Sequence, residues 1–476
     1  MKILFAAAEI APLTKVGGLA DVIGSLPAEL IKMGHDARVI VPKYGFVDYS
    51  AHETDSVVRD LIVCSLQGYR KVTLEQITID GVPVYLLSSD IFSRSDQVYG
   101  SDEVEKFWVF CDCVSQSLPY LGWKPEIVHC HDWHTALIPL LLRIGHSDCR
   151  TVFTIHNMKY QGNFDDRTLQ RSGISQYWYG RVGGIMELPW NFMVQGILWS
   201  HVISTVSENF AREILTAEYG CGMQAFIDFR KNNLFGIING VGYDEYDPGS
   251  DPLIEANFNS ADIGGKAVNK SGLREMVGWK ARTEAPIVGM VSRLDEQKGL
   301  DIIISALPQV IKSTGTRFIF LGRGKEYYEE ALLQLESRYP DYVRAYITYD
   351  NDRAHLVYAG SDLFLMPSLW EPCGLGQMIA MRYGTLPVVR NTGGLADTVT
   401  NLSSDLAQGT GFIFSEYSAK ALAFTLKKAT EAFNDKAAWQ QAVKRVMELD
   451  FSWHVPAQRY QALYRRAKEL KADGPL

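Results

Sequence analysis

At 476 residues the chain is too long for one ordinary hydrophobic core, so two large domains are the natural division. Its 47% hydrophobic and 21% charged content is that of a soluble globular protein, and a formal net charge of -8 argues against nucleic acid as the main partner. Seven scattered cysteines without a C-x-x-C pair suit a reduced, cytoplasmic setting better than a disulfide framework or a zinc site.

The opening "MKILFAAAEI" sets Lys2 before apolar residues, but the run is too short for a signal peptide and Glu9 interrupts it. It reads as a buried first strand. No apolar stretch approaches the roughly 20 residues of a membrane span, so no membrane partner is expected. "LADVIGSLPAELIKMG" predicts a helix with Pro27 near its middle, and "DARVIVP" a second strand. Apolar runs without polar alternation mark strands covered on both faces, as in parallel sheets. "VTLEQITIDGVPVYLLSS" differs: it alternates on both sides of Asp80-Gly81 and predicts an antiparallel hairpin. Strand-like runs return in "EIVHCH", "RTVFTIHN", "HVISTVS" and "LFGIING".

After Gly240 comes "VGYDEYDPGSDPLIEANFNSADIGG", rich in Gly, Asp, Asn and Pro, which marks a domain boundary. A second alternating series follows: "APIVGMVSRL", "TRFIFLG", "VRAYITY", "DLFLMPS", "LPVVRNT" and "GTGFIF". Two β/α series predict an α/β protein of two doubly wound, Rossmann-like domains, at 1–240 and 241–455. The last segment, 456–476, is expected as an amphipathic helix, interrupted near Pro456, that packs back on the first domain.

Gly-Gly-Leu-Ala-Asp occurs twice, in "TKVGGLADV" (14–22) and "NTGGLADTV" (391–399). Each pair of glycines lies where a strand end turns toward a helix, the edge at which open α/β sheets bind ligands. Glycine lets a backbone approach a ligand closely and takes positive φ, and helix-start N–H groups favour an anion. Tight-turn chemistry alone would also account for them.

The dinucleotide fingerprint fails, because several residues separate the first strand from Gly17-Gly18 and the second strand ends "VPKY". A P-loop fails at "GRGKEYY", which lacks the spaced first glycine and the Ser or Thr after Lys325. In "VHCHDWH", His129 and His131 alternate on a strand and no second cluster completes a metal site with Asp132 and His134, so no metal is expected. His131, Asp132 and His156 read instead as strand-end groups. Arg293 and Lys298 in "VSRLDEQKG", with Lys15 from the other domain, supply cations that could stabilise a departing diphosphate. Glu371 in "SLWEPCGLGQM" could accept sugar hydroxyls or stabilise positive charge on an anomeric carbon, and "CGLGQ" could offer backbone N–H groups to phosphate.

"KVGGLADV", "HDWHTAL", "TIHNMKYQG", "VSRLDEQKGLD", "EPCGLGQ" and "TGGLADTV", in this order and spacing, resemble the bacterial glycogen synthases and plant starch synthases along the whole chain. The resemblance implies a GT-B fold, with two Rossmann-like domains facing across a cleft. It implies glucosyl transfer from ADP-glucose to the non-reducing end of an α-1,4-glucan (glycogen, starch or a maltooligosaccharide), with retention. By that likeness His156, Arg293, Lys298 and Glu371 are catalytic. Lys15, Gly17, Gly18, Tyr349, Cys373, Gly374, Leu375 and Thr392 bind the donor, with Tyr349 stacking on adenine. Asp21, His131 and Asp132 line the cleft or the acceptor site. No cofactor is implied. A related transferase with another nucleotide sugar or a small acceptor, or a non-catalytic glucan-binding relative, are the alternatives.

Several positions depart from that family's pattern: Gly242 for Asp, Tyr246 for Trp, Val194 for Lys and Gly376 for Thr. Every charged group named above is retained.

Overall fold

The computed structural model describes residues 1–100, 102–171, 191–279 and 285–470. Two compact units emerge, Met1–Gly240 with Trp453–Leu476, and Val241–Ser452. The chain changes unit at Ser452–Trp453, a little before the expected 455. Trp453 is already part of the first unit's core, lying on the face of Gly240 where a Cβ would come within 2.6 Å of its Cα.

In the first unit, nine strands are described: β1 (Lys2–Ala6), β2 (Asp36–Pro42), β3 (Asp55–Ser65), β4 (Gly68–Ile79), β5 (Val82–Ser88), β6 (Ile127–His131), β7 (Arg150–Ile155), β8 (Val202–Thr205) and β9 (Leu234–Gly236). Their order in the sheet is β3-β4-β5-β2-β1-β6-β7-β8-β9. The central strands lack polar alternation because both faces are covered. On one face Leu4, Ala6, Val128 and Phe153 pack with the helix Glu103–Ser117 and the helix Met193–Trp199. On the other Ile3, Phe5 and Val39 pack with the helix Gly18–Lys32 and the final helix His454–Glu469. Fully burying each such side chain is worth about 1.5–3 kcal/mol.

The hairpin at Asp80-Gly81 forms, with both residues at positive φ (47° and 80°), and pairs β4 with β5 antiparallel. Its extension was not legible. β3 is an edge strand whose pairing with β4 shifts register near Val58, and Asp60 takes φ 54°, so no clean alternation survives. The final helix is not interrupted at Pro456. That residue sits in the first turn of His454–Glu469, where a missing N–H costs nothing.

The second unit is a six-stranded parallel sheet: β10 (Ile287–Val291), β11 (Arg317–Leu321), β12 (Val343–Tyr346), β13 (Leu363–Met366), β14 (Leu386–Arg390) and β15 (Phe412–Phe414). The order β12-β11-β10-β13-β14-β15 is that of a doubly wound nucleotide-binding sheet. The stretch after Gly240 is no spacer. Asp251 accepts hydrogen bonds from His355 Nδ1 (2.7 Å) and the Tyr383 hydroxyl (2.6 Å), and Gly264–Met276 is a helix. Tyr246, standing where a Trp is common, stacks on His355 with ring centroids 4.9 Å apart.

In such sheets the strand order reverses at one point, and the two connections there leave in opposite directions, opening a crevice at the carboxyl ends. That point falls between β1 and β6 in the first unit, and between β10 and β13 in the second.

Candidate active site

Each of these four strand ends carries groups singled out from the sequence. In the second unit, β10 runs out into Arg293 and Lys298, and β13 into Glu371. Lys298 Nζ lies 2.6 Å from Glu371 Oε2, and the Ser368 hydroxyl donates to the same oxygen at 2.9 Å. Both side chains of the ion pair are largely withdrawn from water, with exposures of 15% and 7%. Such a pair holds its geometry well, because separating it would leave a charge without a partner in low dielectric.

Gln297 ties the two strand ends together. Its Oε1 accepts from Arg293 Nη2 (3.2 Å), its Nε2 donates to the Trp370 carbonyl (3.2 Å), and its own carbonyl accepts from Leu369 N (2.8 Å). Arg293 also lies 3.5 Å from Asp295. Arg390, at the end of β14, donates through Nε to the Ser368 carbonyl (2.7 Å) and through Nη2 to that of Leu369.

The second Gly-Gly pair packs beneath this cluster. Gly393 has φ 46°, and a Cβ there would stand 1.8 Å from the Glu371 carbonyl oxygen. A Cβ on Gly394 would stand 2.2 Å from the Cys373 carbonyl oxygen. Their glycine requirement is therefore explained by close packing behind Glu371 and Cys373, without any ligand. Thr392 is buried at the start of the following helix, Cys373 is buried, and Gly374 turns the chain at φ 74° ahead of Leu375. Gly376 accommodates its neighbours likewise, since a Cβ would come 2.9 Å from the Phe364 ring. Tyr349 stands apart from the cluster, 73% exposed beyond the end of β12, two strands away from β10.

In the first unit the loop after β1 hangs on Glu9, a carboxylate 3% exposed. Its Oε2 accepts from Val16 N (2.7 Å) and Gly17 N (3.0 Å), and its Oε1 from the Tyr99 hydroxyl. Burial raises its pKa above the usual carboxylate range, and the three hydrogen bonds oppose that rise. Gly17 is extended at φ -152°, and a Cβ there would meet nothing within 4 Å. Gly18 begins the helix Gly18–Lys32, and Lys15 Nζ pairs with Asp21 Oδ1 at 2.6 Å.

At the end of β6, Asp132 takes φ 58° and turns its carboxylate to the next strand end, accepting from His156 N (2.7 Å) and Asn157 N (3.3 Å). His131 Nδ1 lies 2.9 Å from His156 Nε2. Burial depresses the pKa of His129, His131 and His156, the last to about 3, which favours their neutral forms. His131 is fully buried and Asp132 is 8% exposed, and both hold His156 in place. His129 is committed to Tyr464 of the final helix (2.9 Å) and to Thr154 (2.6 Å). Val194, where a Lys is common, is buried in the core. Among the described residues no cluster of His, Cys, Asp and Glu has the arrangement of a metal site.

Sequence reasoning missed Glu9, Tyr99, Gln297, Ser368 and Arg390. Glu9 carried a signal, as the one carboxylate inside an otherwise apolar opening run. Tyr99, Gln297 and Arg390 act through contacts between segments well separated in sequence, whereas Ser368 lies three residues before Glu371.

Two doubly wound units with cations and carboxylates at their reversal points are the architecture of a glycosyltransferase. A family model described as the starch synthase catalytic domain matches residues 2–229, and one for glycosyl transferases group 1 matches 274–446. The chain is 41% identical to the glycogen synthase of Geotalea daltonii, with 98% of each covered, and 40% identical to glycogen synthase 2 of Geobacter sulfurreducens, covering 99% of this chain and all of that one. Its fold matches the catalytic domain of starch synthase IV from Arabidopsis thaliana, solved bound to ADP and acarbose, with a TM-score of 0.89 at 33% identity, covering 98% of this chain and 99% of that one. The chain belongs to the glycogen and starch synthase family, whose members adopt the GT-B fold.

Proposed function

We propose that the protein transfers glucose from ADP-glucose to the non-reducing 4-hydroxyl of an α-1,4-glucan, with retention at the anomeric carbon, and that it does so in the cytoplasm. The observation that carries this reading is the buried Lys298–Glu371 pair beside Arg293, at the reversal point of the second sheet. The ADP held by the starch synthase relative supports the choice of nucleotide. Seven free cysteines suit a reducing compartment.

In this reading Arg293 and Lys298 take the charge of the diphosphate as the bond from C1 to the phosphate oxygen breaks and ADP leaves with the electron pair. Two fixed cations do what a divalent metal does elsewhere, so none is required. Glu371 lies against the transferred glucose, accepting its hydroxyls and facing the positive charge that develops on the ring. The acceptor hydroxyl attacks on the face from which ADP departs, and its proton passes to the leaving phosphate oxygen. His156, neutral and held by Asp132 and His131, contacts the same glucose. Lys15, Gly17 and Gly18 complete the donor site from the first unit, with Cys373, Gly374, Leu375 and Thr392 from the second. Tyr349 covers the adenine, and Asp21 orients Lys15. Exclusion of water from the donor site protects the activated glucosyl group from hydrolysis.

A donor panel tests this. Radiolabel from ADP-glucose should enter glycogen far faster than label from UDP- or GDP-glucose. Preference for another nucleotide would reassign the donor, and no incorporation from any would leave a glucan-binding protein.

A further inference from the structure

In the second unit Arg293 stands between two acceptors of different charge. Gln297 Oε1 lies 3.2 Å from its Nη2, and Asp295 Oδ2 lies 3.5 Å from its Nη1. On charge alone the carboxylate should win, because a hydrogen bond between ions is about twice as strong as a neutral one and closes to about 2.7–2.9 Å. Asp295 also has capacity to spare. Its Oδ1 is buried without a hydrogen-bond partner among the described residues, and its side chain caps no backbone N–H of the short turn Glu296–Lys298 that follows. The guanidinium is nevertheless held off the carboxylate.

Gln297 is placed to hold it. The residue is 6% exposed, its Nε2 donates to the Trp370 carbonyl (3.2 Å), and its own carbonyl accepts from Leu369 N (2.8 Å). The Trp370 carbonyl can only accept, so it fixes the NH2 end of the amide and turns the oxygen to Arg293. That turn is itself gripped from another side by Arg390, on the carbonyls of Ser368 and Leu369. The amide is therefore a rigid, uncharged stop. A neutral acceptor orients a cation without cancelling its charge, whereas closure on Asp295 would pair the charge off.

We propose that Gln297 is a positioning residue for glucosyl transfer: its amide oxygen keeps Arg293 from closing on Asp295 and so leaves the guanidinium's charge to the diphosphate. The assignment rests on the synthase reading, in which Arg293 takes the charge of departing ADP, and adds what keeps that cation available before the donor arrives. Because Gln297 also grips Trp370, which precedes Glu371, one side chain sets the cation and the turn that carries the carboxylate.

The test rests on a rescue at a second position. Gln297→Met keeps the size of the side chain and removes both of its hydrogen bonds. Kd for ADP should rise about tenfold and kcat fall by a similar factor, as for loss of one contact to a charged group, while Kd for adenosine stays within about twofold. Adding Asp295→Asn removes the competing charge and should return about threefold or more of the ADP affinity, although it restores nothing at Trp370. A glutamine that only supported the fold would show no such rescue. Parent-like ADP affinity in Gln297→Met would overturn the proposal, as would a loss that Asp295→Asn leaves untouched or an equal loss for adenosine. Should Gln297→Met fail to fold, Gln297→Glu decides. A second carboxylate on Arg293 should weaken ADP about tenfold with adenosine unchanged, and parent-like ADP binding would overturn the proposal. If the parent protein transfers no glucose from ADP-glucose yet the rescue appears in ADP binding, the synthase reading fails and the role of Gln297 stands. If it transfers normally and the rescue is absent, the reverse holds.

Discussion

Lys298 and Glu371 stand 73 residues apart in sequence, and their charged atoms are 2.6 Å apart across the neighbouring tips of β10 and β13. The pair is the point at which sheet topology becomes chemistry, because only at the reversal of strand order do two such loops face one crevice.

Breaking this pair on either side should cost more stability than removing it whole. Lys298→Met leaves the Glu371 carboxylate buried beside Ser368 alone, a loss of about 3 kcal/mol. Adding Glu371→Leu should return much of that stability in denaturant unfolding without restoring transfer. Glu371→Gln, which keeps shape and loses charge, should lower kcat by about 100-fold or more. Additive stability losses in the double variant would show that the two groups do not depend on each other.

The two Gly-Gly pairs should respond oppositely to alanine. At Gly17 a Cβ meets open space and the backbone is extended, so Gly17→Ala should unfold within about 0.5 kcal/mol of the parent. Any effect should fall on KM for the nucleotide sugar. At Gly393, φ 46° and the Glu371 carbonyl forbid a methyl group, so Gly393→Ala should lose both stability and transfer. Equal melting temperatures for the two variants would contradict the assignment.

Asp132 makes stability depend on pH. Burial raises its pKa to about 7, against the hydrogen bonds from His156 and Asn157 that lower it. The folded protein therefore holds this proton more tightly than the unfolded chain. The associated stability is full below the unfolded carboxyl pKa and is lost as pH rises through about 7. Asp132→Asn keeps an acceptor for both N–H groups and removes the titration. Between about pH 5 and about pH 8 the parent's melting temperature should fall more than the variant's. Parallel shifts would show that Asp132 does not hold the proton.

Much of this was legible because it is local. The strands of the second unit, the hairpin at Asp80-Gly81 and the placement of Arg293, Lys298 and Glu371 at strand ends all follow from runs of apolar residues and what succeeds them. What stayed hidden depends on contacts between distant segments. Gln297 reads as an unremarkable polar residue until Trp370 and Leu369 arrive beside it. The identical words Gly-Gly-Leu-Ala-Asp suggested one purpose, yet Gly17 faces open space while Gly393 and Gly394 lie against the backbone of Glu371 and Cys373. That His131 and Asp132 both hold His156 was not legible either, because the contacts join the ends of two strands about 25 residues apart in sequence.

The most direct test of the account is the structure of the protein with ADP bound. Diphosphate oxygens should lie about 3 Å from the Arg293 guanidinium and the Lys298 ammonium, at the ends of β10 and β13. A diphosphate seated elsewhere, with both cations still turned only to Asp295, Gln297 and Glu371, would contradict it.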